Sequence, residues 1–141
     1  LMWRERGPFL AGIAAFLLGH VAYVAAFVTR AIDPTWALLA LLPLAASAAL
    51  VLRWLLPHVG PDMRIPVLAY VAVISAMVAT AAGTFGMAPS AHIVIGALAF
   101  YLSDLAVARD RFVSPGFANR LWGLPTYYAA QLVIASSIAY S

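Results

Sequence analysis

Gly96-Ala97-Leu98-Ala99-Phe100-Tyr101-Leu102-Ser103-Asp104-Leu105 lies inside an apolar run that opens near Pro89 and ends at Arg109. The stretch reads as the middle of a membrane-spanning helix with a carboxylate in it. An aspartate at the centre of an isolated membrane helix costs about 2.5 to 3.5 kcal/mol, so a chain that keeps one is expected to give it a partner and a task. At helical spacing His92, Gly96, Phe100 and Asp104 fall four apart on one face, with Ser103 beside them. That face is expected to look into a bundle of helices rather than at acyl chains.

The rest of the chain agrees with a membrane setting. Of its 141 residues 65% are hydrophobic and only 9% charged, against roughly 25% charged residues in an ordinary soluble domain. The mean hydropathy is +0.98. A crossing takes roughly 20 apolar residues, so five crossings fill the chain and leave no room for a soluble domain. The expected fold is an all-α polytopic transmembrane bundle: one membrane domain, 1–141, with spans at about 8–29, 35–56, 64–83, 89–108 and 124–140. The net charge of +3 is carried by scattered arginines, too sparse for a basic nucleic-acid face. Without cysteine, disulfides, thiolate metal sites and cysteine nucleophiles are excluded.

Local signals set the boundaries. Pro8 suits the first turn of a helix, and Asp33-Pro34 reads as a turn before the second span. Pro43 interrupts that span, where neighbouring helices or Ser47 are expected to satisfy the freed carbonyl. Thr84 to Ala88 reads as an uncharged loop, and Arg109 to Gly123 as the longest connection. Gly12, Ala15, Gly19, Ala22 and Ala26 form a small-residue stripe along the first span, read as a packing face. Arg4, Arg6, Arg53, Arg64, Arg109, Arg111 and Arg120 fall on one side of the membrane and Arg30 on the other. The positive-inside rule makes the first side cytoplasmic, with the N-terminus of the chain inside and its C-terminus outside. Trp3, Trp36, Trp54 and Trp122 read as interface anchors.

Counting 1.5 Å per residue from these boundaries puts Asp104 roughly 6 Å below the inner surface, with Tyr70, Tyr127, Tyr128 and Gln131 at roughly 5 to 10 Å. His20 comes out roughly 18 Å deep, apart from that layer, and Tyr23 deeper still. Each of these has a plain structural reading. Asp104 could pair with an arginine, His20 could pack against a tyrosine or bond a backbone carbonyl, and the tyrosines could belong to the interfacial belt. The three histidines lie at different depths, so no metal site can be built from them, and no cofactor motif occurs.

Four motifs in fixed order then carry a resemblance. Gly19-His20-x-x-Tyr23-x-x-x-Phe27, Ala69-Tyr70 followed by Met77, Gly96-Ala97-x-x-Phe100-x-x-Ser103-Asp104-x-x-x-Ala108-x-x-x-Phe112, and Tyr127-Tyr128-x-x-Gln131 together resemble the YhhN-like lysoplasmalogenase family. The resemblance covers essentially the whole chain. It implies the C-terminal five helices of a protein of about eight spans, with three helices and a Gly-Asp pair standing before Leu1. It also implies hydrolysis of the vinyl ether bond of lysoplasmalogens to a fatty aldehyde and a glycerophospho-alcohol.

That chemistry needs a proton donor and a negative neighbour around an oxocarbenium ion, as in glycoside hydrolysis. Asp104 is the candidate general acid and His20 the second catalytic candidate. Ser103, Tyr70, Tyr23, Tyr127, Tyr128 and Gln131 are candidates for holding substrate, with Arg109 and Arg120 for the head-group phosphate. The partners expected are a lysophospholipid and the membrane lipids, with no nucleic acid. A lysine-free, arginine- and alanine-rich composition suggests a bacterial inner membrane. The alternative is a small transporter or lipid-binding protein in which Asp104 and His20 bind substrate or a proton without breaking a bond.

Overall fold

A computed structural model describes residues 2–87 and 91–140. Pro89, where the fourth span is expected to begin, lies outside the described residues, as do the side chains of Trp3, Arg4 and Arg6. Five helices follow one another: α1 (Met2–Thr29), α2 (Pro34–Leu55), α3 (Pro61–Met87), α4 (His92–Ala108) and α5 (Phe117–Ser136). No strand occurs among the described residues. The all-α bundle is the fold expected, and α3 stands in the middle of it, packed on α1, α2 and α4, while α5 packs chiefly on α4.

The helices overrun the boundaries set by proline and charge. Pro8 and Pro125, expected to open helices, lie inside α1 and α5. The segment Thr84 to Met87, expected as loop, is the last turn of α3. The reason is packing. Asp33 caps α2 by accepting a hydrogen bond from the Thr35 N–H at 2.8 Å, and its own N–H donates to the Gly83 carbonyl at 2.9 Å. Trp36 meets Phe85 edge-on at 5.3 Å. The α1–α2 turn, with Ala31 at φ 63°, thus lies on the end of α3 and keeps it helical. Beyond Ala108 the chain continues as one π-helical turn, Arg109–Val113, so α4 also reaches further than its last apolar residue.

Four helical segments are long and apolar enough to cross a membrane: Leu10–Thr29, Pro34–His58, Pro61–Met87 and His92–Val113. Helix α5 is not among them. Asn119, Arg120, Tyr127, Tyr128 and Gln131 dilute its apolar content. Outside the bundle Leu42, Leu50, Ile65 and Leu132 are exposed, as expected of an integral membrane protein whose solvent on that face is lipid.

In lipid, apolar side chains gain little from burial, and close approach of small residues holds helices together. The α4–α5 contact is built that way. Gly96 faces Ile134 and the Ala130 carbonyl, and a Cβ on Gly123 would stand 2.7 Å from that of Ala106. By contrast Gly12, Ala15, Gly19, Ala22 and Ala26 are exposed. Among the described residues nothing covers this stripe, and α1 turns Ile13, His20 and Phe27 inward. Nor does Ser47 serve Pro43: its hydroxyl pairs with the Tyr101 hydroxyl at 3.0 Å, joining α2 to α4.

Gly123→Ala should drive α4 and α5 apart and destabilise the protein by about 1 to 3 kcal/mol. Thermal unfolding in detergent measures it. Adding Ala106→Gly should restore most of the loss, and a single variant that melts with the parent would contradict the contact.

Candidate active site

The site is assembled at the junction of α1, α3, α4 and α5. On α4 the residues Gly96, Phe100, Ser103 and Asp104 are buried, while Ile95, Leu98 and Leu102 are exposed. The inward face read from helical spacing is therefore the one the bundle covers, and Asp104 is 6% exposed.

His20, expected to lie apart, is its partner. Nε2 of His20 stands 3.2 Å from Oδ2 of Asp104, with both side chains buried. The depth count failed because of helix ends. Asp104 lies nine residues before Val113, where the π turn ends, so roughly 13 Å from the end of its helix rather than 6 Å.

One proton position follows from the hydrogen bonds. Nδ1 of His20 lies 2.8 Å from the Phe16 carbonyl, and a carbonyl can only accept, so Nδ1 carries a hydrogen. Neutral imidazole would then turn the Nε2 lone pair at the carboxylate. Two lone pairs at 3.2 Å repel, so a second proton belongs to the pair, on Nε2 or on the carboxyl. The contact is close but off the line of a well-formed hydrogen bond, and neither Asp104 oxygen has an aligned partner. A buried carboxyl without aligned donors is costly, and such groups occur where function asks for them.

Aromatic rings close the pair in. Tyr70 on α3 lines the larger cavity together with Asp104, and its ring meets His20 edge-on at 5.7 Å. Phe100 lies 5.7 Å from His20 on another side. Tyr127 packs on Phe100 at 5.5 Å and on Phe16 at 5.7 Å, and its hydroxyl accepts a hydrogen bond from Gln131 at 2.7 Å. Tyr23 meets Phe100 at a tilt, with ring centroids 5.4 Å apart.

Other candidates are placed away from the pair. Ser103 is buried, and its hydroxyl donates to the Phe100 carbonyl of its own helix at 2.9 Å. Tyr128 is 59% exposed and points outward, touching Tyr127. Arg109 donates to Oδ1 of Asn119 at 2.6 Å. Asn119, unnoticed in the sequence, is buried and donates in turn to the Ser114 carbonyl at 2.7 Å and to Asp110 at 3.1 Å. That knot braces the turn between α4 and α5 and occupies Arg109.

Two cavities reach Asp104. The larger, of about 320 Å³, lies between α1, α2, α3 and α4 and is lined by Gly12, Ile13, Val71, Ile74 and Tyr101 with Arg111 at one end. The smaller, of about 260 Å³, lies toward α5 and is lined by Ser103, Asp110, Asn119, Arg120 and Tyr127. Phe16, Asp104 and Val107 line both. His20 lines neither, so it reaches any ligand only through Asp104. Phe16 and Tyr101 were also missed in the sequence; each sits one helical turn from a polar residue of the pair, which is the signal that could have found them.

The relatives of the chain match in sequence. It is 39% identical to human "Lysoplasmalogenase TMEM86B" over 97% of its own length and 56% of the relative's. It is 35% identical to the pig protein of the same name, over 100% and 58%, and 30% identical to the "Lysoplasmalogenase" of Mycobacterium tuberculosis, over 94% and 51%. The chain thus spans about half the length of the curated relatives it matches. No solved structure matches it. The YhhN family profile covers residues 1–138, a match that takes in every helix and the His20–Asp104 pair: the chain belongs to the YhhN family.

Proposed function

We propose that the protein is a membrane-embedded hydrolase of the vinyl ether bond of lysoplasmalogen-type lysophospholipids, with Asp104 as its acid. The observation that carries this reading is the buried His20–Asp104 contact, with no aligned partner on the carboxyl, where two cavities meet. Membership of the YhhN family and the names of its relatives support it.

The reaction begins with the proton shared by the pair. Asp104 delivers it to the alkene carbon remote from oxygen; the double-bond electrons form the new C–H bond, and an oxygen lone pair completes an oxocarbenium ion. The carboxylate left behind stabilises that cation. Water adds to the carbon and returns a proton to Asp104, giving a hemiacetal. Its collapse breaks the bond to the glycerol oxygen, the hydroxyl proton passes to that oxygen, and a fatty aldehyde and an alcohol leave. One water is consumed and the acid is regenerated. His20, held by Phe16, is a positioning residue that keeps Asp104 supplied with its proton. Tyr70 and Tyr127 line the two approaches and orient the ether.

The protein is further proposed to cross the membrane five times within these residues, α5 included, with Asn119 buried and Tyr127 turned to α4. A bacterial inner membrane and the turn between α4 and α5 on the cytoplasmic side belong to the same proposal, from the arginine distribution. The chain has no native cysteine, so a single introduced one reports sidedness. Gly116→Cys should be labelled by an impermeant maleimide only from the cytoplasmic face and Thr29→Cys only from the outer one; the reverse pattern would invert the topology.

In the whole protein, Asp104→Asn should lower aldehyde release from a vinyl ether lysolipid by about 10² to 10⁴-fold, the usual range for an acid–base residue. Normal turnover in this variant would remove Asp104 from the mechanism. The pH–rate profile of the parent should carry two ionisations, and His20→Gln should leave one. A two-limbed profile that survives the change would assign the second group elsewhere.

A further inference from the structure

The two cavities differ in a way that the reaction alone does not require. Apart from Asp104, Tyr70, Tyr101 and Arg111, the walls of the larger one are aliphatic or aromatic, and it runs along α4 from Phe112 inward to Tyr101. The smaller has a charged end, where Arg120 and Asp110 line it beside Asn119. Asp110 is already committed, accepting hydrogen bonds from the Gly116 N–H at 2.8 Å and from Asn119. Arg120 is exposed and next to it. Between the two spaces stand Phe16, Asp104 and Val107. The carboxyl in that partition is 94% buried by the complement of its 6% exposure and lacks an aligned partner.

We propose that the two cavities are the two halves of one lipid site, the apolar one holding the hydrocarbon chain and the charged one holding the phosphate-bearing half against Arg120. The bond between them then crosses the partition at Asp104. This rests on the hydrolase reading for the chemistry, but not for the binding. The arrangement gives the two products separate ways out, the aldehyde toward lipid and the phosphoalcohol toward the aqueous end. It also accounts for a single-chain substrate, since only the larger cavity extends among aliphatic and aromatic side chains of four helices. Arg120 rather than Arg109 takes the phosphate, because Arg109 is spent on Asn119.

Binding can be tested separately from catalysis with saturated ethers, which carry no alkene to protonate. The probes are a 1-O-alkyl lysophospholipid and the matching 1-O-alkylglycerol, offered to the whole protein in nanodiscs. Arg120→Ala should weaken the phospholipid by about tenfold and leave the alkylglycerol unchanged, as expected for one charge-assisted phosphate contact; Arg120→Lys should recover part of the loss. Gly12 lines the apolar cavity and has no atom within 4 Å of where its Cβ would stand, so the side chain of Gly12→Phe starts in open space beside that cavity. It should weaken long-chain forms of both probes by about tenfold while sparing short-chain ones. Equal loss of both probes in Arg120→Ala, or chain-length independence in Gly12→Phe, overturns the division. Failure of the parent to release aldehyde from a vinyl ether, with these binding patterns intact, overturns the hydrolase reading and leaves the divided site standing.

Discussion

A carboxyl group in hydrocarbon has to be shared, and the meeting of Asp104 with His20 is the contact around which this bundle is arranged. An unpaired carboxylate at that depth would cost several kilocalories per mole, so the helices must bring a proton and a base to it. Helix α1 supplies the imidazole, already oriented by the Phe16 carbonyl one turn earlier. Helix α3 supplies the Tyr70 ring against His20 and α5 the Tyr127 ring against Phe100. The order of packing follows: α3 sits in the middle because it must reach the site while α1 and α4 flank it.

The close contacts elsewhere serve the same end. Gly96 and Gly123 let α5 lie against α4 on both sides of the acid's level, which sets Tyr127 beside Phe100. At the other end of the chain's connections, the Arg109–Asn119–Asp110 knot fixes how α5 leaves the π turn. A residue such as Arg120 is thereby held at the mouth of a cavity by backbone geometry, and its reach is limited to that mouth.

Much of the fold was readable because lipid imposes length. Five apolar runs gave five helices, and the four-residue spacing from Gly96 to Asp104 marked the buried face correctly. What the sequence hid were the helix ends. Proline and arginine mark where a helix meets the interface, yet Pro8 and Pro125 sit inside helices, and α4 winds past Arg109. An error of one turn at an end moves every depth by about 5 Å, and the unread extension of α4 accounts for much of the gap that kept His20 and Asp104 apart on paper. The Asn119 knot and the partition residue Phe16 were invisible for another reason: their roles come from contacts across the chain, which spacing on one helix does not report. The exposed stripe on α1 shows a related limit, since small residues signal close packing without saying against what.

The hydroxyl pair of Ser47 and Tyr101 has a further effect on the larger cavity. It braces α2 against α4 beside that space. In hydrocarbon neither hydroxyl can exchange its mate for water, so the two helices resist sliding together even though each such bond contributes only about 0.6 kcal/mol. The room beside Tyr101 is therefore propped open by a bond inside the bundle itself.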